Sequence, residues 1–278
     1  MLEFPSKIPE INMVYVSDDI LKVVGRLLKT VDFRLIQADT WIKYGQTEVS
    51  AKSNNEQRMH CDYGNNTFLH PVNWNTPEQV AAIIYYSDSD ECAGGTAVVP
   101  RRGEEDPAYK FPLINQVGYG HHVIANTPKP SDFMNDKDTC EKYFEKFPKV
   151  HAFRQSLYKR EIKASFKPGT MLLYRMDIWH RGTAVAADSH RIVQNLAWAR
   201  NDCPWYGTWN SGFARKMYMG YLENFISGLN TRQLTSIGWP VPSNEHWANE
   251  KLIEYIQARY PDMDLSDYVV RLDPVLYQ

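Results

Sequence analysis

Short apolar and aromatic runs alternate with turn-forming residues through the middle of the chain. Several runs are rich in β-branched or aromatic residues, and pairs such as Gly94-Gly95 and Pro168-Gly169 bound some of them. The runs lie at residues 33–45, 80–88, 95–100, 169–176 and 191–200. This pattern predicts a mainly β core over about residues 33–200, of the sandwich or barrel kind.

Helical periodicity replaces the β pattern at both ends of the chain. Ser17, followed by two aspartates and then by apolar residues at helical spacing, predicts a helix near the N-terminus. Apolar residues repeat in the same way over 218–229, and Ser243 could cap a further helix. No Ser/Gly-rich linker precedes this helical extension, 201–278, so we expect a single domain over 1–278 with helices packed outside the β core.

A long connection, 101–167, separates two of the predicted strands. It contains one predicted helix near 136–147 and is otherwise predicted to be irregular. Connections of this length within a domain are more often functional than not, so we expect a lid-like insertion.

Composition limits the classes of function. The chain has 278 residues, of which 43% are hydrophobic and 23% charged, and its formal net charge is −2. These values are typical of a soluble globular protein and provide no general attraction to nucleic acid or to anionic membranes. Without a transmembrane-length apolar run or a signal-peptide pattern, we expect a cytoplasmic protein. The oligomeric state is left open, and the cysteines, which lack C-x-x-C spacing, are expected to be reduced thiols.

Two separated motifs could bind a metal together. In a strand, His60 and Asp62 would point to the same face and Cys61 to the other. Taken by itself, however, a His-x-Asp match is more often a surface or turn dipeptide than a metal site. His180 follows an apolar strand, and Arg191 opens the next strand. If these strands are neighbours, both side chains can face the same interior. The two histidines and the aspartate would then form a 2-His-1-carboxylate triad, which is diagnostic of non-haem Fe(II) oxygenases. The arginine could bind a carboxylate through paired, charge-assisted hydrogen bonds.

The order and spacing of these pieces resemble a known family. The pieces are HCD at 60–62, GGTAVVP at 94–100, PGTMLLYRMDIWH at 168–180 and then Arg191, and together they span about half the chain. They resemble the phytanoyl-CoA dioxygenase-like family of Fe(II)/2-oxoglutarate-dependent oxygenases. The resemblance implies a double-stranded β-helix, a jelly-roll or cupin-like barrel. It implies that His60, Asp62 and His180 ligate Fe(II), that Arg191 binds the C5 carboxylate of 2-oxoglutarate, and that O2 is the other co-substrate.

The sequence departs from the family at two places. Arg101-Arg102-Gly103 stands where Gly-Ser-His is usual, and Val185 stands where an asparagine is common. Neither position supplies a metal ligand, so the implied metal chemistry is unaffected. The departures put transfer of a substrate from any relative in doubt.

The sequence assigns the remaining 2-oxoglutarate contacts to strands but does not single out the residues that make them. The resemblance implies 2-oxoglutarate contacts on the strands before and after the first histidine, where the candidates are Trp41, Lys43, Tyr85 and Thr96. Candidate substrate contacts near the motifs, which could instead form turns or a solvated surface, are Tyr44, Arg58, Tyr63, Asn65, Trp179 and Arg101. We expect no catalytic residue beyond the metal ligands. His121-His122, within the long connection, could line a substrate pocket.

The leading hypothesis is an Fe(II)- and 2-oxoglutarate-dependent dioxygenase that hydroxylates a small molecule and releases succinate and CO2. The carboxylate of Asp62 argues against halogenation, since related halogenases replace it with a small residue. Two alternatives remain open: a cupin-like metal enzyme that does not use 2-oxoglutarate, and a non-catalytic ligand-binding barrel. The sequence does not name the substrate, and desaturation or cyclisation could replace hydroxylation.

Overall fold

Two antiparallel sheets form the centre of the molecule. The computed structural model describes residues 2–3, 8–45, 54–62, 75–109, 136–203, 227–236, 239–248 and 250–269. The large sheet has the strand order β1 (Leu2–Glu3), β2 (Phe33–Tyr44), β8 (His190–Arg200), β3 (Gln79–Tyr85) and β6 (Met171–Arg175). The small sheet has the order β5 (Ile162–Lys163), β4 (Thr96–Val98) and β7 (His180–Gly182). The prediction of a β-rich core with added helices is confirmed at this level.

Helices flank the sheets. In the described ranges they are α1 (Pro9–Tyr15), α2 (Asp18–Leu28), α3 (Ser89–Cys92), α4 (Lys137–Phe144), α5 (Pro148–Arg160), α6 (Thr231–Ser236) and α7 (Glu250–Arg259). Helix α2 begins directly after Ser17, as predicted. A 3-10 turn at Glu245–Ala248 and then α7 follow Ser243. The predicted helix over 218–229 lies outside the described residues, except for its last three positions.

The two faces of the large sheet have different partners. One face packs against α1 and α2, where Val24 and Leu28 contact the cluster that contains Leu196 and Trp198. Because side chains alternate along a strand, residues of the opposite parity form the other face. That face carries Arg191 directly opposite Lys43 in the β2–β8 pair. Two of the candidate site residues are therefore neighbours across two strands.

The small sheet is extended by the segment that carries the first motif. Strand β7 pairs with β4 on one side. On its other side, Gln57 N donates to Gly182 O at 2.9 Å, and His60 forms an antiparallel bridge with His180. The strands of His180 and Arg191 are not neighbours, because β7 belongs to the small sheet and β8 to the large one, but both side chains line the same cavity.

The described parts of the 101–167 insertion pack mainly behind the first motif. Leu157 of α5 and Tyr109 share a buried cluster with Met59, Cys61 and Trp179. The prediction that this insertion is irregular outside one helix is wrong, because α5 follows α4. The reason is that α5 fully buries a charged residue, Arg154, beside Leu157, so its buried face lacks the apolar periodicity of an ordinary amphipathic helix. No described helix combines the length and apolar character needed to cross a bilayer.

Candidate metal centre

Three side chains meet where the small sheet faces the large one. One ligand atom each from His60, Asp62 and His180 lie within 4.8 Å of one another. Asp62 Oδ1 lies 3.6 Å from His60 Nε2, and Asp62 Oδ2 lies 3.1 Å from His180 Nε2. Ligand atoms bound at about 2.1 Å and at right angles around a metal are separated by roughly 3 Å. The spacing therefore suits a shared cation.

Backbone carbonyls fix both imidazoles in matching orientations. His60 Nδ1 lies 2.9 Å from Arg58 O, and His180 Nδ1 lies 2.9 Å from Ile178 O. Each ring thus donates Nδ1–H to the residue two positions earlier and turns Nε2 towards Asp62. Outer hydrogen bonds of this kind set the tautomer and orientation of metal-binding histidines. Two imidazole nitrogens and a carboxylate suit a first-row divalent metal, so the donor set fits Fe(II).

The three groups are electrostatically coupled. Burial, with His180 nearby, lowers the pKa of His60 to about 3, so this imidazole is neutral at physiological pH. Burial opposes ionisation of Asp62, but the nearby His180 and its hydrogen bond hold the pKa of Asp62 well below its usual range. Conversely, Asp62 outweighs burial and raises the pKa of His180. An ionised carboxylate between two Nε2 atoms is thus stabilised by positive charge, whether a proton or a metal supplies it.

A cavity of about 860 Å³ opens onto the three side chains. Its walls come from both sheets. They include these predicted residues: His60, Asp62, His180, Arg191, Lys43, Thr96, Trp41 and Tyr44. The candidate metal ligands and the candidate anion-binding residues therefore line one cavity.

Two cations lie side by side at the cavity wall. Arg191 is largely buried and donates through Nη1 to Gly94 O, while its Nε has no hydrogen-bond partner. Lys43 Nζ donates to Asn55 O at 3.2 Å and to Thr183 O at 3.0 Å. Among the described residues, neither cation forms an ion pair with a carboxylate. Burial lowers the pKa of Arg191, and burial together with Arg191 lowers the pKa of Lys43 to about 8. This wall therefore suits an anionic ligand.

The Gly94-Gly95 pair allows the backbone to approach this wall closely. Gly94 has φ +73°, a conformation that side-chain-bearing residues rarely adopt. A Cβ atom at Gly95 would lie 2.3 Å from Ala164 O. The two glycines thus let the chain turn into β4, present the Gly94 carbonyl to Arg191 and deliver Thr96 to the cavity.

Of the other predicted ligand contacts, some line the cavity and others are buried behind its wall. Trp41 and Tyr44 line the cavity but are partly exposed. Tyr85 is fully buried and is not among the lining residues; its hydroxyl donates to Thr96 Oγ1 at 2.9 Å. Arg58 is also buried, and its carbonyl accepts the Nδ1–H of His60. Tyr85 and Arg58 therefore support residues of the wall.

Two predicted substrate contacts need correction. Trp179 is fully buried outside the cavity, packs against Phe153 and donates through Nε1 to Ala108 O at 2.7 Å. Its strand position turns it to the opposite side from His180. Arg101 pairs with Asp177 at 2.8 Å and also does not line the cavity. Tyr63, Asn65 and His121-His122 lie outside the described residues.

Sequence reasoning missed one aromatic residue of the wall. Tyr174 lines the cavity, and its ring centroid lies 5.1 Å from that of His180. The residue sits opposite Ala81 in the β3–β6 pair. Strand alternation together with the pairing register would have placed it on this face, but the register is not evident from the sequence.

Comparisons with known proteins give distant similarities only. No protein-family model and no curated protein matches the chain. Among solved structures, the non-haem α-ketoglutarate-dependent carbocyclase SnoK from nogalamycin biosynthesis is 13% identical, with 70% of this chain and 60% of SnoK covered and a TM-score of 0.46. The epimerase SnoN from the same biosynthesis is 11% identical, with 69% and 57% covered and a TM-score of 0.42.

HygX from Streptomyces hygroscopicus, with nickel and 2-oxoglutarate bound, is 13% identical; 72% of this chain and 68% of HygX are covered, with a TM-score of 0.43. The chain spans less than two thirds of the length of SnoK and SnoN. Two of these structural neighbours are thus non-haem, 2-oxoglutarate-dependent enzymes, and the third binds nickel and 2-oxoglutarate. The phytanoyl-CoA dioxygenase-like resemblance itself stays a prediction.

Proposed function

We propose that the chain is an Fe(II)- and 2-oxoglutarate-dependent dioxygenase in which His60, Asp62 and His180 ligate the iron. One observation carries the proposal: these three side chains share a cavity with Arg191, a partly buried cation that has no carboxylate partner among the described residues. Such a triad leaves three metal positions for co-substrates. A guanidinium that is removed from water without a counter-ion is costly unless a ligand compensates its charge.

Arg191 would bind the C5 carboxylate of 2-oxoglutarate through its planar guanidinium. Lys43 adds a second positive charge, Thr96 adds a hydroxyl held by Tyr85, and Trp41 adds an apolar surface. When bound, the iron and 2-oxoglutarate supply the oxidising chemistry, which consumes O2 and yields succinate, CO2 and an oxidised product. The protein's own contribution is to orient both carboxylate and substrate and to limit the access of water.

The proposed fold is a double-stranded β-helix. Its support is the pair of antiparallel sheets, together with segment 57–60, which adds beside β7 and enlarges the small sheet. In this arrangement His180 comes from the small sheet, His60 and Asp62 come from the segment beside it, and Arg191 comes from the large sheet. The cavity between them corresponds to the interior of a barrel.

The proposed substrate is a small molecule that undergoes hydroxylation. A volume of about 860 Å³ falls within the range of small-molecule sites. Asp62 is consistent with oxygen transfer because it occupies the position that halogenases leave open for a halide. The near-neutral net charge of −2 supplies no electrostatic footprint for nucleic acid.

Anaerobic titration tests the metal and the co-substrate without knowledge of the substrate. Fe(II) followed by 2-oxoglutarate should give a weak visible charge-transfer band with the wild-type chain and none with His60→Ala. His190→Ala, which changes a histidine exposed at the start of β8, is the matched control and should keep the band. Fe(II) binding without a response to 2-oxoglutarate would favour the cupin-like alternative. Failure to bind Fe(II) would favour the ligand-binding barrel.

A further inference from the structure

The residue before each histidine ligand donates its backbone N–H to the hydroxyl of a tyrosine that packs in the cluster behind the ligands. Met59 N donates to Tyr158 Oη at 3.0 Å, and Trp179 N donates to Tyr109 Oη at 3.2 Å. Both tyrosines come from the 101–167 insertion, one from α5 and the other from the 3-10 turn Pro107–Tyr109. Two separate parts of the insertion therefore make the same contact, each beside a different ligand.

Strand geometry explains why these contacts are needed. His60 and His180 direct their backbone N–H and C=O groups towards each other. In an antiparallel pair the adjacent residues direct their polar backbone groups the opposite way. For Trp179 these groups meet Tyr109 and Val99 N, and for Met59 they meet Tyr158 and Arg154. Unpaired backbone groups buried at these positions would be costly.

The hydroxyl that serves Met59 is itself held firmly. Tyr158 Oη donates to Glu141 Oε1 at 2.9 Å, and Arg154 Nε donates to the same oxygen at 2.8 Å. Arg154 has no exposed surface and also donates through Nη2 to Met59 O at 3.1 Å. Two side chains of α5 thus bind the backbone N–H and C=O groups of Met59, and Glu141 of α4 holds both side chains in place.

The hydroxyl that serves Trp179 is fixed by the small sheet. Tyr109 Oη donates to Val99 O, and Val99 N donates to Trp179 O at 2.8 Å. Burial raises the pKa of both Tyr109 and Tyr158, so both hydroxyls keep their protons across the physiological range. Each can then donate one hydrogen bond and accept another at the same time.

We propose that Tyr109 and Tyr158 are positioning residues that set the separation of His60 and His180 for metal binding. This inference rests on the proposed metal site. The described parts of the insertion then act as a support behind the ligands, in addition to lining the cavity through Asp136 and Thr139. The tyrosines touch no reacting atom and act through the backbone alone.

Co(II) titration of the full chain tests the proposal, with Tyr109→Phe and Tyr158→Phe as variants. Each should bind Co(II) about tenfold more weakly, as expected when outer-shell support of a metal ligand is lost. The visible ligand-field spectrum of bound Co(II) should also change. Tyr15→Phe is the matched control, since Tyr15 is fully buried and its hydroxyl bonds to Thr40 on the helix-packed side of the large sheet.

A purely structural role predicts a different result. In that case all three variants would lose stability to denaturant and would keep the wild-type Co(II) affinity and spectrum, which would overturn the proposal. A wild-type chain that does not bind Co(II) would instead overturn the metal site on which it rests.

If Tyr158→Phe does not fold, Arg154→Lys tests the same support. Lysine keeps the positive charge beside Glu141 but lacks the guanidinium fork that also reaches Met59 O. Weaker Co(II) binding by this variant supports the proposal, and wild-type affinity contradicts it.

Discussion

His60 and His180 exchange both of their backbone hydrogen bonds, from His60 N to His180 O at 2.9 Å and from His180 N to His60 O at 2.8 Å. Directly paired residues in an antiparallel ladder point to the same face, and here the ring centroids lie 4.4 Å apart. Asp62, two residues after His60, reaches between the rings. The backbone pairing therefore determines where the candidate metal ligands meet.

Removing any of the three ligands should abolish metal-dependent stabilisation. A ligand that binds only the folded chain stabilises it by about 2.7 kcal/mol at one hundred times its dissociation constant. Saturating Co(II) should raise the unfolding temperature of the wild type, but not of His180→Ala or Asp62→Ala. Cys61→Ala is the control, since Cys61 lies between two ligands and its side chain packs in the cluster behind them. A full Co(II) shift in His180→Ala would contradict the assignment.

Arg191→Met should weaken 2-oxoglutarate binding far more than metal binding. Hydrogen bonds to charged groups contribute about 1.5–3 kcal/mol, which corresponds to roughly a 10- to 150-fold loss of affinity. Arg191→Lys should recover only part of it, because lysine lacks the paired donors. Calorimetric titration of the Co(II)-loaded chain with 2-oxoglutarate measures the effect.

Arg200→Met is the control for this experiment, because Arg200 lies at the other end of β8 and pairs with Asp202. It should keep the wild-type affinity for 2-oxoglutarate. Equal affinities in Arg191→Met and the wild type would remove Arg191 from the site.

The affinity for 2-oxoglutarate should fall as the pH rises through about 8. Burial and Arg191 lower the pKa of Lys43 to about 8, while Glu56 acts to raise it and Arg181 to lower it further. Below this pKa Lys43 is protonated and attracts the dianion; above it Lys43 is neutral and the attraction is lost. Loss of one charge-assisted contact should weaken binding by roughly tenfold. Titrations with 2-oxoglutarate at pH values on both sides of that pKa, from about 6.5 to about 9.5, measure the change in affinity.

Lys43→Arg provides the comparison for the pH series, because arginine stays protonated throughout this range. Its affinity should therefore lack the decline near pH 8. The same decline in both proteins would assign the pH dependence to another group.

Gly94→Ala should weaken 2-oxoglutarate binding more than Co(II) binding. An alanine there would be strained at φ +73°, and its Cβ would lie 2.8 Å from Val185 Cγ2. The backbone would have to shift, and with it the Gly94 carbonyl that receives the Arg191 hydrogen bond. The two affinities, measured separately on the same protein, test this.

Gly103→Ala is the control for Gly94→Ala because both glycines have a positive φ. Gly103 has φ +106°, and nothing lies within 4 Å of an added Cβ. The Gly103→Ala variant should lose about 1 kcal/mol of unfolding free energy because of backbone strain, and it should keep the wild-type affinity for 2-oxoglutarate. Equal losses of affinity in the two variants would mean that strain alone explains the effect.

The positions of the strands could be predicted from the sequence, because the residue types within each run all favour a strand. The predicted run 33–45 becomes β2, and 191–200 becomes β8 with one residue added at its start. Parity within the first motif was also readable: Cys61 faces the buried cluster, and the residues on either side face the cavity. Alternation along an extended chain depends only on local geometry.

Contacts between residues that are far apart in the chain could not be predicted from the sequence. The sequence does not reveal that β7 joins the small sheet, since its short length carries no distinctive pattern. It does not distinguish the core position of Trp179 from a pocket position, because an aromatic side chain suits both. It also does not reveal the ion pair of Arg101 with Asp177, because the two residues are far apart in the chain.

The pairing of His60 with His180 has a consequence for folding. The two residues bound a long stretch of chain, and an ion bound to both would tether its ends as a disulfide bridge does. Cross-links that close long loops remove many conformations from the denatured ensemble and so favour the native state. A chelator should therefore make the protein easier to denature, and a bound iron would stabilise the native chain in addition to its chemical role.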